Sequence, residues 1–337
     1  MKFYQYILRR LGLMAFTLLG VLIVTFFVSH VIPADPIAAI LGPQAPPELI
    51  EKIRHELGFD QPAYIQFFIY LKNILRGDFG NSLRTQNPVI EDLRKFFPAT
   101  IELATTALLI GIVLGIPLGI LSAVKKDQWG DHIARGFSLV GLSMPVFWLA
   151  LILLLIFYYR LGWMPGPGQV DPYLFPKEPI TGILLLDSLL HRDFDIFWNA
   201  LHHIILPAFV LGYFSTAAIV RITRSSMLEV LSQEYVQTAR AKGLRERVVI
   251  YKHALKNAMI PITTVIGLTY GSLLEGSVLT ETIFAWPGLG RYMTSAFLFL
   301  DFNAVMGGTL LIALIFSLAN LVVDILYAFL NPKIRFG

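Results

Sequence analysis

Two carboxylates, Glu275 and Asp324, stand inside long stretches that otherwise carry no charge. An acid near the middle of a bilayer costs roughly 2.5–3.5 kcal/mol even on lenient insertion scales, so such a group must face water or protein. Two kinds of chemistry suit it: carrying protons down a gradient, or holding a fixed charge beside a solvated path. A structural acid bonded to a neighbouring helix is the plain alternative. Gly271 and Gly276 flank Glu275, which fits a helix lining a path, while Asp324 lies near the end of its stretch, within reach of the membrane surface. Other chemistry lacks residues. Cysteine is absent, which excludes disulfides, thiolate metal sites and a cysteine nucleophile. Of the seven histidines only His202 and His203 are adjacent, and that pair reads as an interfacial feature rather than a metal site. There is no His-Glu-x-x-His string, no Gly-rich phosphate loop ending in Lys-Ser/Thr, and no Gly-x-Ser-Gly string within a span. The chain therefore offers no catalytic residues.

The elements that must hold these acids are membrane helices. The 337 residues are 55% hydrophobic and 15% charged, with a mean hydropathy of +0.65, against about 25% charged residues in a soluble domain. A helix needs roughly 20 apolar residues to cross the hydrocarbon core. Five stretches without Asp, Glu, Lys or Arg suffice: Leu11–Ala34, Leu103–Val124, Gly136–Tyr159, Ile196–Val220 and Phe302–Val323. A sixth, Asn257–Leu274, meets Glu275 and resumes at Gly276–Thr280. None has the short alternating pattern of a barrel strand. The expected fold is an all-α polytopic membrane protein with six transmembrane helices. The first stretch is longer than the 7–15 residues of a signal-peptide core, so it reads as a retained anchor.

Charge bias orients the bundle. Residues 1–10, 125–135, 221–258 and 331–337 hold 16 of the 27 Lys and Arg in 66 positions; residues 33–97, 160–200 and 283–303 hold 11 in 127. The denser set is expected in the cytoplasm, and both termini with it. The net charge of +4 comes without a dense basic patch, so no nucleic-acid partner is expected.

Residues 33–97 are too long for a simple loop. Pro46-Pro47-Glu48 suits the opening of a helix that Gly58 ends, and Pro62 opens a second that Gly77 ends. A small external helical subdomain follows, either a partner surface or a lid on the bundle. On the other side, segment 221–258 carries eight basic residues and three glutamates. Ser232 suits an N-cap, Glu234 the first turn, Arg240 and Lys242 the last, and Gly243 the exit of a helix of about ten residues, near 15 Å long. Tyr235, Val236 and Ala239 give it one apolar side. Such a helix could dock into a soluble partner or lie beneath lipid headgroups.

The string Glu234-Tyr235-Val236-Gln237-Thr238-Ala239-Arg240-Ala241-Lys242-Gly243-Leu244, followed by His253-Ala254-Leu255-Lys256-Asn257-Ala258, resembles the cytoplasmic "EAA" loop of ABC-importer permeases in the form of the dipeptide/oligopeptide/nickel class. Gln237-Thr238-Ala239 replaces the generic Glu-Ala-Ala, and Gly243 keeps its spacing. Further strings in order carry the resemblance along nearly the whole chain: Ile32-Pro33-Ala34-Asp35-Pro36, Gly77-Asp78-Phe79-Gly80-Asn81-Ser82, Pro98-Ala99-Thr100-Ile101-Glu102-Leu103, Met144-Pro145-Val146-Phe147-Trp148, Thr280-Glu281 through Trp286-Pro287-Gly288-Leu289-Gly290, and Asn331-Pro332-Lys333-Ile334-Arg335. The match is to the first, B-type, of two paired permeases.

The resemblance implies a type I ABC importer permease bundle in the inner membrane, forming half of a translocation path for di- or oligopeptides. Its implied divisions are 1–32 (tail and first span), 33–97 (external subdomain) and 98–337 (permease core, with a coupling loop at 223–258). Its implied partners are a second homologous permease, two ABC ATPase subunits that bind ATP and Mg, an extracytoplasmic binding protein and membrane lipid. This chain itself holds no cofactor or metal. The implied ATPase-coupling residues are Glu234, Tyr235, Thr238, Ala239, Arg240, Lys242, Gly243, Leu244 and His253. Glu281, Trp286, Pro287, Gly288 and Gly290 would serve binding-protein docking or an outer gate. Glu275 is assigned to the path, attracting a peptide's terminal ammonium. Alternatives are a nickel chelate, glutathione or an oligosaccharide as cargo, or a secondary transporter driven by an ion gradient.

Overall fold

The computed structural model describes residues 3–31, 46, 48, 51–52 and 61–330. The expected helix from Pro46 to Gly58 falls mostly outside the described residues, as do the Ile32–Pro36 and Asn331–Arg335 strings. Among the described residues the chain is helical, without strands. The first long helix is α1 (Phe3–Val31), and α2 (Ala63–Leu75) opens after Pro62 and closes before Gly77, whose φ is +82°. Phe67 and Tyr70 of α2 lie against the Phe26 ring of α1, at 5.3 and 6.0 Å between centroids.

Then α3 (Val89–Val124) and α7 (Phe194–Leu231) form the centre of the bundle. At 36 and 38 residues they run to roughly 55 Å at 1.5 Å per residue, well beyond the hydrocarbon core. Their crossing explains three glycines. On α3, Gly111, Gly115 and Gly119 recur every fourth residue, and a Cβ on Gly111 or Gly115 would sit 2.7 or 2.8 Å from the Cβ of Ser215 or Ile219 of α7. Without a hydrophobic drive between helices in lipid, such small-residue seams let backbones approach.

The third expected span is not one straight helix. It divides into α4 (Trp129–Ser143) and α5 (Val146–Leu153), which continues as a π-helical turn, Leu154–Arg160. The two halves are bent by 104°. Pro145 has no N–H to continue the ladder, and it forces Met144 into extended backbone (φ −86°, ψ 131°). Among the described residues, five helices are therefore long and apolar enough to cross a membrane, or six if the bent pair counts as one span. The chain continues through α6 (Leu184–Leu190) before α7, then α8 (Glu234–Ala241), the short α9 (Glu246–Val248), a π-helical turn at Val249–Ala254, and α10 (Leu255–Gly276). Two short helices, α11 (Val278–Ile283) and α12 (Leu289–Leu298), precede α13 (Phe302–Leu330). α10 packs on α13 and α7, and α1 lies along α13.

One ion pair pins the end of the bundle nearest α8. Buried Asp131, in the first turn of α4, accepts from Arg224 Nε at 2.7 Å and Nη2 at 2.8 Å, from Ser122 Oγ at 2.6 Å and from the Asp127 amide at 3.0 Å. With every lone-pair direction of Asp131 engaged, this ties α7 to the α3–α4 corner.

Candidate functional site

The α8 loop is built from both its ends. Ser232 does not cap α8; it closes α7, its Oγ donating to the Glu229 carbonyl at 2.7 Å, and Gln233 takes the N-cap position. The reason is local: a serine hydroxyl one residue past a helix end reaches the last carbonyls more readily than the amides of a helix turning away. At the other end Gly243 has φ +73°. The Gly243 amide donates to the Arg240 carbonyl at 2.9 Å and the Leu244 amide to that of Ala239 at 3.4 Å, the bond pair of a Schellman motif, which needs a residue without a Cβ penalty at this position.

Between these ends α8 has two faces. Val236 and Ala239 are buried against Val249, beside Val230 and Leu231. Glu234, Gln237, Thr238, Arg240 and Lys242 are exposed, as is Leu244 beyond the glycine. Tyr235, expected on the apolar side, is instead 43% exposed, and its hydroxyl accepts from Asn257 Nδ2 at 2.7 Å. Arg240 pairs with Glu246 at 2.7 Å, and that hydrogen bond raises the guanidinium further above its ordinary pKa. His253 is half-buried in the π-helical turn Val249–Ala254.

The residues expected to meet an external protein lie mostly inside the fold. Glu281 and Trp286 are both 0% exposed. The Glu281 carboxylate accepts from Thr100 Oγ1 (2.8 Å), Ser277 Oγ (2.7 Å) and the Arg291 amide (3.0 Å). The Thr100 hydroxyl in turn accepts from the Leu289 amide, and Trp286 Nε1 donates to the Ala99 carbonyl at 2.9 Å. Gly288 and Gly290 close over the Glu281 carboxylate, which a Cβ on either would strike. Of the five docking-assigned residues, Pro287 alone is part-exposed. The Pro98–Leu103 and Thr280–Gly290 strings thus meet as one buried hub, in which the docking-assigned side chains position backbone.

Glu275 occupies the last turn of α10 and is exposed, as is Ser272 one turn before it. Between α10 and α7 an open cleft of about 380 Å³ is lined by Ser215, Thr269 and Ser272 among apolar residues including Val146 and Phe214. Glu275 lies beyond its lining.

Sequence reasoning left several buried polar groups without a role. Glu102 accepts from the Leu185 amide at 2.7 Å and Gln169 Nε2 at 2.5 Å, linking α3 to the segment between α5 and α7. In that segment Asp187 collects the Ile180, Thr181 and Gly182 amides and the Thr181 hydroxyl. Burial would raise its carboxyl, but these bonds outweigh burial and hold it below the usual range. Asp171 is likewise held low, first by the Asn199 amide and then by the Tyr173 hydroxyl and His203. His202 and His203 part company: His202 Nε2 reaches the Trp163 carbonyl, while His203, buried rather than interfacial, bridges the Gly168 carbonyl and Asp171. The only available signal was Glu102 itself, an acid at the edge of an apolar stretch.

A family model described as "Binding-protein-dependent transport system inner membrane component" matches residues 115–336. A second, for the N-terminal part of such membrane components, matches residues 3–104. The chain is similar to the probable D,D-dipeptide transport system permease protein DdpB of Escherichia coli (strain K12), 46% identical over 100% of this chain and 99% of the relative. It is also 45% identical to the dipeptide transport system permease protein DppB of Alkalihalophilus pseudofirmus, over 98% of this chain and 99% of that one. The glutathione transport system permease protein GsiC of Salmonella choleraesuis is 39% identical over 98% and 99%.

Proposed function

The chain belongs to the binding-protein-dependent transport system inner membrane components, and from that membership we propose that it is the permease subunit of an ATP-driven importer of di- or oligopeptides. It is a multi-pass protein of the inner membrane. The observation that carries the reading is the loop Glu234–Leu244, where a short helix is fastened by Val236 and Ala239 and leaves Glu234, Gln237, Thr238 and Lys242 facing outward.

In this reading α8 seats in a groove of a separate ATPase subunit on the cytoplasmic side. Glu234, Thr238 and Lys242 supply the polar contacts, Val236 and Ala239 set the helix on its base while Tyr235 ties it to Asn257, and Gly243, Leu244 and His253 shape its exit. ATP and Mg are bound and ATP is hydrolysed on the ATPase subunits, and this chain is non-catalytic. Closure of two ATPases draws two such helices together and opens the bundle outward. The path forms between this chain and a second, homologous permease, which covers the exposed face of α10 with Thr269, Ser272 and Glu275. Such cover removes the cost of leaving the Glu275 carboxylate to lipid. There Glu275 attracts the ammonium end of a peptide. An extracytoplasmic binding protein docks at the end of the bundle where Pro287 surfaces, and the Glu281–Trp286 hub keeps that surface in shape. The similarity to a glutathione permease leaves the cargo to the binding protein's choice among peptide-like molecules.

The test is mass spectrometry of what co-purifies with the tagged chain from its own host in mild detergent. A second permease and one or two Walker-motif ATPases are expected. Recovery of the chain alone, still transporting under an ion gradient, would replace this reading with a secondary transporter.

A further inference from the structure

α8 follows α7 in the chain, yet its directional bonds point elsewhere. Val236 and Ala239 rest on Val249 as well as on the tail of α7. Among the described residues, the side-chain hydrogen bonds that leave α8 both run to the segment leading into α10: Tyr235 to Asn257, and Arg240 to Glu246. Asn257 does more than meet Tyr235. Its Nδ2 also donates to the His253 carbonyl at 3.1 Å, within the π-helical turn Val249–Ala254. A carbonyl can only accept, so this second bond fixes which end of the amide faces the turn and presents an N–H to the tyrosine. π-helical turns recur at functional sites; here one side chain braces the turn and α8 together.

α7 is held differently. Arg224, two turns before its end, is clamped to buried Asp131 at the α3–α4 corner. The covalent link from α7 to α8 is Ser232 and Gln233, with Gln233 in extended backbone (φ −73°, ψ 147°), and the two helices also meet through Val230 and Leu231.

We infer that Asn257 is a positioning residue that makes α8, the π-helical turn and the start of α10 one rigid body, alongside which the tail of α7 packs through Met227, Val230 and Leu231. Force on the exposed face of α8 is then delivered along α10, the helix that carries Thr269, Ser272 and Glu275. This rests on the coupling role proposed for α8.

The test uses the complete complex in proteoliposomes, reading substrate moved per ATP hydrolysed. Asn257→Ala, which removes both bonds, is expected to lower that ratio at least five-fold while hydrolysis continues, about five-fold being the factor one hydrogen bond of ordinary net strength supplies. Tyr235→Phe, which removes only the bond to α8, should lower it about five-fold, and the double variant no further than Asn257→Ala. An unchanged ratio in Asn257→Ala, or losses that add in the double variant, overturns the inference. The absence of cysteine allows a second readout, with Tyr235→Cys and Asn257→Cys bridged by a short bis-methanethiosulfonate linker and single-cysteine variants as controls. The unbridged pair lacks the Tyr235–Asn257 bond and should couple as Asn257→Ala does. Two parts of one rigid body tolerate the bridge, so bridging should not lower uptake below that level; arrest of uptake on bridging overturns the inference. If the wild-type complex itself shows no ATP-dependent uptake, the proposed function falls; if it transports and the variants stay coupled, only this joint does.

Discussion

The Glu281–Trp286 hub and the α8 loop invite comparison, since both come from strings that resemble the same permease class and both stand at an end of the bundle. In the hub the polar groups face inward and are satisfied by the chain itself: a carboxylate by two hydroxyls and an amide, an indole by a carbonyl. In α8 two small apolar residues are buried and the polar ones face out. A region that satisfies its own polar groups contributes rigidity; one that leaves them exposed is ready for a partner. The contrast separates residues whose loss should cost stability from residues whose loss should cost coupling.

The largest effect should come from Glu281→Ala. It leaves the Thr100 and Ser277 hydroxyls and the Arg291 amide short of a buried acceptor, at about 1–3 kcal/mol for each group left unsatisfied. Thermal unfolding of the purified chain in detergent should shift strongly downward; an unchanged transition would mean the hub is not the brace described. Gly243→Val comes next. A β-branched residue at φ +73° costs about 1–2 kcal/mol and redirects the exit from α8, so uptake should be lost while membrane insertion is normal. Normal uptake would break the comparison at the α8 side. Lys242→Ala sharpens it: stability should stay within about 0.5 kcal/mol, as for exposed positions generally, while ATP-driven uptake falls.

The smallest effect concerns pH at the segment between α5 and α7. Asp171 and Asp187 are held below the ordinary carboxylate value, which is about 3.9. Their contribution is therefore fully present above about pH 4 and is lost only as pH falls through that value towards their folded ones. Hydrogen exchange in residues 161–193 should be as protected at pH 5 as at neutral pH once corrected for intrinsic rates, and should loosen below about pH 4. Loosening between pH 5 and neutral would point to another titrating group.

What the sequence determined by itself are features that act within a turn or two of their own position. An uncharged run of some 20 residues must be a span wherever it sits, and five of the six expected stretches lie in long apolar helices. Gly243 ends a helix because the left-handed backbone there is costly to any side chain, and both ends of α2 follow from Pro62 and Gly77 for the same kind of reason. The spacing of Gly111, Gly115 and Gly119 is also visible in one dimension, though nothing in it names α7 as the facing helix. The tertiary structure decided what depends on distant partners. Asp131 meets Arg224 across 93 positions, Glu281 meets Thr100 across 181, and Trp286 meets Ala99 across 187. Whether Trp286 offers its ring to a partner or buries it is set by where α3 passes. Tyr235 faces Asn257, 22 positions further on, rather than the apolar base. Pro145 marks a break in the sequence, but its 104° angle is chosen by the packing of α4 and α5 on α7. Hydropathy and capping are short-range signals. Pairings between helices depend on the geometry of the whole bundle, and a single sequence carries that only in sum.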